Sequence, residues 1–171
     1  MPNELIHILL VEDDEIDTEA LVRSFRQQQI INPILCVENG LEALHALRGE
    51  NGRSRLLPPY IILTDINMPQ MNGHELLRTL RADSLLKRSV VFVLTSSSHD
   101  QDIIEAYDLQ VAGYFTKDTM GKDFGKVVRL LDLYQSSIQL PLDSDAYPSS
   151  HQQGPAATFS QQEKQLCQLN Y

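Results

Sequence analysis

Short apolar runs alternate with longer amphipathic segments along most of the chain. Four of the runs are largely continuous instead of alternating, which is typical of strands that are covered on both faces. These predicted strands are Leu5–Val11, Pro33–Val37, Tyr60–Leu63 and Val90–Leu94, and a weaker fifth strand is predicted at Ala112–Phe115. Strands of this kind predict a sheet that lies between two outer layers.

The segments between the runs have helical spacing. In the last segment, apolar residues fall at positions i, i+3, i+4 and i+7, namely Phe124, Val127, Val128 and Leu131. Three helix starts have capping-box spacing: Asn39 with Glu42, Asn72 with Glu75, and Ser98 with Gln101. A strand followed by a helix, repeated five times, predicts an α/β fold in which helices cover both faces of a five-stranded parallel sheet.

The composition changes after the last predicted helix. From Pro141 onward the chain is rich in Gln, Ser and Pro and poor in apolar residues, which is typical of disorder. We therefore predict one folded domain over residues 1–135 and a mostly disordered tail over residues 136–171. A tail of this size and composition is too small to build a second core.

The balance of charged residues argues against some classes of binding partner. The chain has 14 Lys and Arg against 23 Asp and Glu, a formal net charge of -9. This excess of acid argues against a broad basic surface, and we expect no nucleic-acid partner. The apolar run at Leu5–Val11 is too short for a signal or membrane segment, so we expect a cytoplasmic protein without a membrane partner. In that compartment Cys36 and Cys167 are expected to be free thiols.

Acids, hydroxyls and one lysine follow the predicted strands. Working residues of open α/β sheets gather where the strands end. Here these are Glu12, Asp13 and Asp14 after the first strand, Asp65 after the third, Thr95, Ser96 and Ser97 at the end of the fourth, and Lys117 after the fifth. Clustered carboxylates repel one another unless a cation lies among them, and oxygen ligands suit Mg²⁺. A carboxylate beside Mg²⁺, a lysine and a hydroxyl is suited to phosphoryl transfer.

Four segments together resemble the signature segments of response-regulator receiver domains: ILLVEDD, LTDINMPQMNG, VFVLTSS and GYFTKD. They occur in the family's order and with its approximate spacing, across residues 5 to about 135. The resemblance implies a doubly wound, flavodoxin-like sheet with the strand order 2-1-3-4-5. It also implies a regulator of a two-component phosphorelay, which accepts a phosphoryl group from a sensor histidine kinase and signals by a change of conformation.

The resemblance assigns the phosphoacceptor role to Asp65. It places Mg²⁺ among four residues, with Asp13 as a direct ligand, Glu12 acting through water, Asp65 itself, and the backbone carbonyl of Asn67. Asp14, beside these acids, is interpreted as a surface or helix-capping residue.

Three further roles follow from the same resemblance. The hydroxyl of Thr95 and the ammonium of Lys117 would bind phosphoryl oxygens, and Tyr114 would move together with Thr95 as the switch. The family lysine is usually followed by proline after a cis peptide, but here Asp118 follows Lys117. A non-proline cis bond costs about 3–4 kcal/mol, so the sequence favours a trans peptide at this point.

The long loop at residues 49–59 and the lack of an output domain resemble stand-alone regulators that pair with phytochrome-type histidine kinases. In such receivers the face made by the fourth helix, the fifth strand and the fifth helix forms a homodimer or a partner contact. We expect the same face to be used here. The protein would be a signalling protein and not an enzyme, apart from slow self-dephosphorylation.

Two other classes stay open. A pseudo-receiver would act as a binding module without phosphorylation, but it would be expected to lack some of the acids, the threonine or the lysine. A phosphatase-like enzyme that forms an aspartyl phosphate would need a second Asp two positions after the nucleophile, where this chain has Asn67.

Overall fold

The structure is a computed structural model, and it describes residues 5–120 and 124–142. The strands are β1 (His7–Val11), β2 (Ile34–Val37), β3 (Tyr60–Thr64), β4 (Val90–Thr95) and β5 (Gly113–Thr116). The helices are α1 (Glu15–Gln27), α2 (Gly40–Arg48), α3 (Gly73–Ala82), α4 (Asp100–Asp108), the short α5 (Lys117–Met120) and α6 (Gly125–Ser137). No helix in the described part of the chain is long and apolar enough to cross a membrane.

The five strands form one sheet in the order β2-β1-β3-β4-β5, and every pair is parallel. The predicted α/β class, the flavodoxin-like order and the parallel sheet are therefore confirmed. Val11 pairs with Thr64 in register, and the Asp65 N–H donates to the Val11 carbonyl over 2.9 Å. Because these strands end at the same level, Glu12 and Asp65 emerge side by side.

Two hydrophobic clusters lie on opposite faces of the sheet. One joins alternate strand residues, such as Leu9 and Ile62, to the inner sides of α2, α3 and α4. The other joins their neighbours, such as Leu10 and Leu63, to α1 and α6. Each fully buried Leu or Ile contributes about 1.5–3 kcal/mol, so the two clusters fix the sheet between two helical layers.

Side-chain caps start several of the helices. Asp14 caps α1, as predicted, because its carboxylate accepts from the N–H groups of Ile16 and Asp17 over 2.8 and 3.1 Å. Asn72 and Glu75 form the complete capping box that was predicted for α3. Asn39 also accepts from the Glu42 N–H at the start of α2.

The capping box predicted at Ser98 is wrong. Helix α4 starts one residue later, after His99, and His99 makes no side-chain capping bond. The polar group that reaches into the first turn is instead the hydroxyl of Ser97, which donates to the Asp102 carboxylate. Spacing alone does not reveal which of three consecutive serines faces the helix.

The bounds of the last strand and the last helix differ from the predicted ones. Strand β5 is shifted by one residue, to Gly113–Thr116, and α6 runs to Ser137, with Leu140 packed against the second cluster. Residues 143–171, which include most of the predicted disordered tail, lie outside the described residues.

Two local expectations have clear outcomes. Among the described residues the cis peptide is Pro58–Pro59, so the bond between Lys117 and Asp118 is trans, as predicted. The expectation of free thiols is wrong for Cys36, which is disulfide-bonded. That expectation rested on the usual redox state of the cytosol, which says nothing about which thiols approach each other.

Gly73 should be required for the backbone geometry next to Asp65. A Cβ at Gly73 would lie 2.3 Å from the Asp65 carbonyl oxygen and 2.9 Å from Ile66 Cα, and these backbone atoms cannot move aside cheaply. We expect Gly73→Ala to lower the free energy of unfolding by about 1–3 kcal/mol in urea denaturation. We also expect it to shift the backbone amide NMR signals of Asp65 and Ile66.

Gly52→Ala is the matched control, since a Cβ at Gly52 meets no atom within 4 Å. Its positive φ should cost some stability, but the NMR signals of Asp65 should not change. If the two variants had the same effect on those signals, the close approach of Gly73 would be irrelevant to the site.

Candidate functional site

The carboxyl ends of β1, β3, β4 and β5 bring the predicted site residues to one edge of the sheet. Glu12, Asp65 and Thr95 are buried there, with 7%, 5% and 0% of their surface exposed, whereas Asp13 is exposed. Burying two carboxylates costs free energy unless each has a partner. The hydrogen-bond partners of these carboxylates therefore determine the chemistry of this edge of the sheet.

The carboxylate of Asp65 is held in one orientation. Its Oδ1 accepts from the N–H groups of Ile66 and Asn67 over 2.5 and 3.2 Å. Its Oδ2 faces the other way and accepts from Lys117 Nζ over 2.9 Å. One oxygen is thus fixed by the backbone of the loop after β3, and the other points into the cluster of charged groups.

Lys117 is the centre of that cluster. Its Nζ donates to Glu12 Oε2, Asp17 Oδ2 and Asp65 Oδ2 over 2.8, 2.7 and 2.9 Å. An ammonium group has three N–H donors, so all of them are used. With 13% of its side chain exposed, Lys117 links β1, α1 and β3 in a largely water-poor position.

Asp17 is the residue of this cluster that our sequence reasoning missed. It lies in the first turn of α1, four residues after Asp13. Once Asp14 is interpreted as the N-cap, helical spacing turns Asp17 back toward the strand end, and that was the signal available in the sequence. Asp17 lies inside a helix and not directly after a strand, so the pattern of acids at strand ends does not include it.

The electrostatics reflect the crowding of acids. Burial raises the pKa of Glu12 to about 7, and the charge of Asp65 adds to this, while the hydrogen bond from Lys117 opposes it. Burial by itself lowers the pKa of Lys117, but the hydrogen bonds to Asp17, Glu12 and Asp65 outweigh it and raise this pKa above its usual range. Lys117 is therefore a permanent cation, whereas Glu12 titrates near neutrality.

The acids also fit a divalent cation. Glu12, Asp13 and Asp65 each offer one oxygen, and these three oxygens lie within 4.8 Å of one another. Carboxylate oxygens are hard ligands, and a cation among them would relieve the repulsion that raises the pKa of Glu12. Asn67 lies beside the cluster, where its N–H contacts Asp65 and its side chain is exposed.

Thr95 and Tyr114 are connected through Ser97. The Oγ1 of Thr95 accepts from the Ser97 N–H over 3.3 Å, and the Tyr114 hydroxyl donates to the Ser97 carbonyl over 3.0 Å. Burial raises the pKa of the Tyr114 phenol, so this group stays a neutral donor. Since Ser97 also bonds Asp102, the two predicted switch residues are joined to the first turn of α4.

This chain is similar to two known proteins over most of its length. Response regulator Rcp1 of Synechocystis sp. is 32% identical over 135 residues, which are 78% of this chain and 92% of Rcp1. The crystal structure of the phosphorylated cyanobacterial phytochrome response regulator RcpA has a TM-score of 0.73 at 31% identity, covering 80% of this chain and 99% of RcpA. The Mn²⁺-bound form of Rcp1 has a TM-score of 0.69 at 31% identity, again covering 80% of this chain and 99% of that one.

These relatives cover about four fifths of this chain. A divalent metal in the Rcp1 structure agrees with a divalent cation site formed by Glu12, Asp13 and Asp65. Residues 8–129 match the family model described as the response regulator receiver domain. Fold, site and relatives thus agree, and the chain belongs to the response-regulator receiver family of two-component signalling.

Proposed function

We propose that this protein is a stand-alone response regulator in which Asp65 accepts a phosphoryl group from the phosphohistidine of a sensor histidine kinase. The observation that carries the proposal is the buried Asp65 carboxylate, whose Oδ2 lies 2.9 Å from a lysine that is held by two further acids. Such an arrangement offers a fixed nucleophile beside a fixed positive charge.

In the transfer, an Asp65 oxygen forms a bond to phosphorus while the bond from phosphorus to the kinase imidazole breaks. The backbone N–H groups of Ile66 and Asn67 keep the carboxylate from rotating during this step. Lys117 already lies against Oδ2, so its ammonium offsets the charge on a phosphoryl oxygen without reorganising. Electrostatic placement of this kind is most of what phosphoryl transfer requires.

We propose Mg²⁺ as the cation. Asp13 would bind it directly, Glu12 through water, and Asp65 and the backbone carbonyl of Asn67 would complete the protein ligands. Bound there, Mg²⁺ supplies positive charge against the phosphoryl oxygens. The oxygen-only ligand set and the exposure of Asp13, which leaves room for coordinated water, support this choice.

The conformational change that follows phosphorylation is proposed to involve Thr95 and Tyr114. The oxygen of the Thr95 hydroxyl accepts from the Ser97 N–H over 3.3 Å. A phosphoryl group on Asp65 would offer the O–H of Thr95 a charged acceptor and would draw this hydroxyl toward Asp65. Movement of that segment would disturb the Tyr114 bond to Ser97 and the Ser97 bond to Asp102. Helix α4 would then change its packing against β5.

The partner is proposed to be a phytochrome-type histidine kinase in the cytoplasm. The relatives support this class, since RcpA is described as a phytochrome response regulator. The protein itself would not turn over substrate, apart from slow loss of its own phosphoryl group. Asn67 stands where an aspartyl-phosphate phosphatase would need its acid.

The pseudo-receiver, a binding module without phosphorylation, remains the alternative function. Against it, the acids, Thr95 and Lys117 are all present and all lie at the same edge of the sheet. A module that had lost phosphorylation would not need this costly cluster of buried charges.

Asp65 should become an acyl phosphate when the protein is mixed with Mg²⁺ and acetyl phosphate. Intact-mass spectrometry should show one added phosphoryl group that is removed by hydroxylamine, because the product is a mixed anhydride. Asp65→Asn should gain none, whereas Asp108→Asn, a matched change at the end of α4, should react like the wild type. Equal labelling of the Asp65→Asn variant would make the central proposal wrong.

Mg²⁺ affinity should rise with pH through the range set by Glu12. Its pKa of about 7 means that the cation must displace a proton below that pH. By linkage, the dissociation constant should fall by up to about tenfold per pH unit on approaching neutrality and level off above it. Calorimetric titrations across this range measure the slope, and Glu12→Gln should bind more weakly with a flatter profile. An unchanged slope in that variant would remove Glu12 from the linkage.

Phosphorylation should change how the face formed by α4, β5 and α6 binds to a second copy or to a partner. Helix α6 is the fifth of the helices predicted from the sequence, since the short α5 was not predicted. This face exposes Ile104, Tyr107, Leu130 and Leu133, with between 39% and 68% of each residue accessible. Light scattering and kinase-binding assays, with and without beryllofluoride at Asp65, should detect a change in the wild type. Thr95→Ala and Tyr114→Ala should lose that change. The same mass and affinity in all three proteins would rule out this switch.

A further inference from the structure

We infer that Asp17 is a positioning residue, whose carboxylate aims the ammonium of Lys117 at Asp65. The inference rests on the proposed role of Asp65 as phosphoacceptor. It assigns a function in phosphoryl transfer to an acid on α1, outside the cluster of ligands for the cation.

The hydrogen bonds of Lys117 define the geometry. Two of its three N–H donors are taken by Glu12 and Asp17, at 2.8 and 2.7 Å, and the third is directed at Asp65 Oδ2. A tetrahedral ammonium with two fixed donors cannot rotate, so the direction of the third is determined. When Asp65 carries a phosphoryl group, the same third donor can meet a phosphoryl oxygen while the other two keep their partners.

Asp17 differs from the other two acceptors of Lys117 because it is not one of the acids whose oxygens could hold a cation. Glu12 and Asp65 belong to the group whose oxygens can also hold a cation, together with Asp13, whereas Asp17 does not. A cation at those oxygens competes with Lys117 for Glu12 and for Asp65. Asp17 is then the acceptor that remains committed to the ammonium.

Local structure keeps Asp17 in place. Asp14 caps α1 and accepts from the Asp17 N–H over 3.1 Å, which fixes the first turn of the helix next to the end of β1. The Asp17 side chain is 31% exposed and that of Lys117 is 13% exposed, so water competes only weakly for this hydrogen bond. Asp17 lies in the first turn of α1, and Lys117 is the first residue of α5, directly after the end of β5.

A purely electrostatic role for Asp17 predicts the opposite result. If Asp17 only added negative charge, its removal would reduce repulsion of the phosphodonor and would free Lys117 from a competitor. Phosphorylation would then become faster, equally in Asp17→Asn and Asp17→Ala. If Asp17 positions Lys117, phosphorylation becomes slower, and Asn, which keeps a carbonyl acceptor, loses less than Ala.

The experiment measures the rate of Asp65 phosphorylation by acetyl phosphate and Mg²⁺ in the full chain, with Asp17→Asn, Asp17→Ala and Glu15→Ala. Glu15→Ala is the matched control, because it removes an exposed acid from the same first turn. We expect the wild-type rate for Glu15→Ala and a rate about tenfold lower for Asp17→Ala, with Asp17→Asn between them. Thermal denaturation of each variant checks the fold, and Asp17→Asn carries the comparison should the Ala variant not fold.

A second readout needs no phosphorylation. In metal-free protein, the Lys117 ammonium should give a slowly exchanging ¹H–¹⁵N NMR signal, assigned by its absence in Lys117→Arg. Asp17→Ala should speed that exchange about tenfold. Unchanged exchange, or equal or faster phosphorylation in both Asp17 variants, would overturn the inference. A wild type that is never phosphorylated would instead overturn the proposed function, and the inference with it.

Discussion

The rest of the site depends on one ion cluster, the ammonium of Lys117 surrounded by carboxylates from β1, α1 and β3. Two buried acids at the end of a sheet would repel each other and destabilise the fold without it. With it, three separate elements are joined where the strands end. The cluster thus stabilises the fold and also keeps a positive charge beside Asp65, whose second oxygen is held by the backbone.

The same cluster gives Glu12 a pKa that is sensitive to its surroundings. The pKa of Glu12 lies near neutrality because its burial is only partly offset by Lys117, so its charge depends on what else is bound nearby. Under the proposed function, a cation or a phosphoryl group would change which oxygens the acids share with the lysine. The neighbouring hydroxyls of Thr95 and Ser97 would then experience a different electric field, and Ser97 is bonded to α4.

Much of this could be predicted from the sequence because buried parallel strands and strand-end acids leave local patterns. The strand order came from resemblance, and the meeting of Glu12 with Asp65 followed from it. What the sequence patterns did not reveal depends on where individual side chains point. Asp17 lies one helical turn beyond the acids, and the choice of Ser97 over Ser98 at α4 depends on how the chain bends after β4. Helical spacing indicates Asp17 only once Asp14 is taken as the N-cap, and spacing does not choose among the serines.

The two hydrophobic clusters on opposite faces of the sheet have a consequence for how such a protein can diverge. Asp17 and α1 belong to one layer, and Tyr114, Ser97 and α4 contact the other. Under the proposed function, a substitution on α1 would act first on how quickly Asp65 is phosphorylated, and a substitution on α4 would act first on the surface that changes afterwards. The two properties would then be encoded mainly by different layers of a single small domain, so that selection could adjust them at different residues.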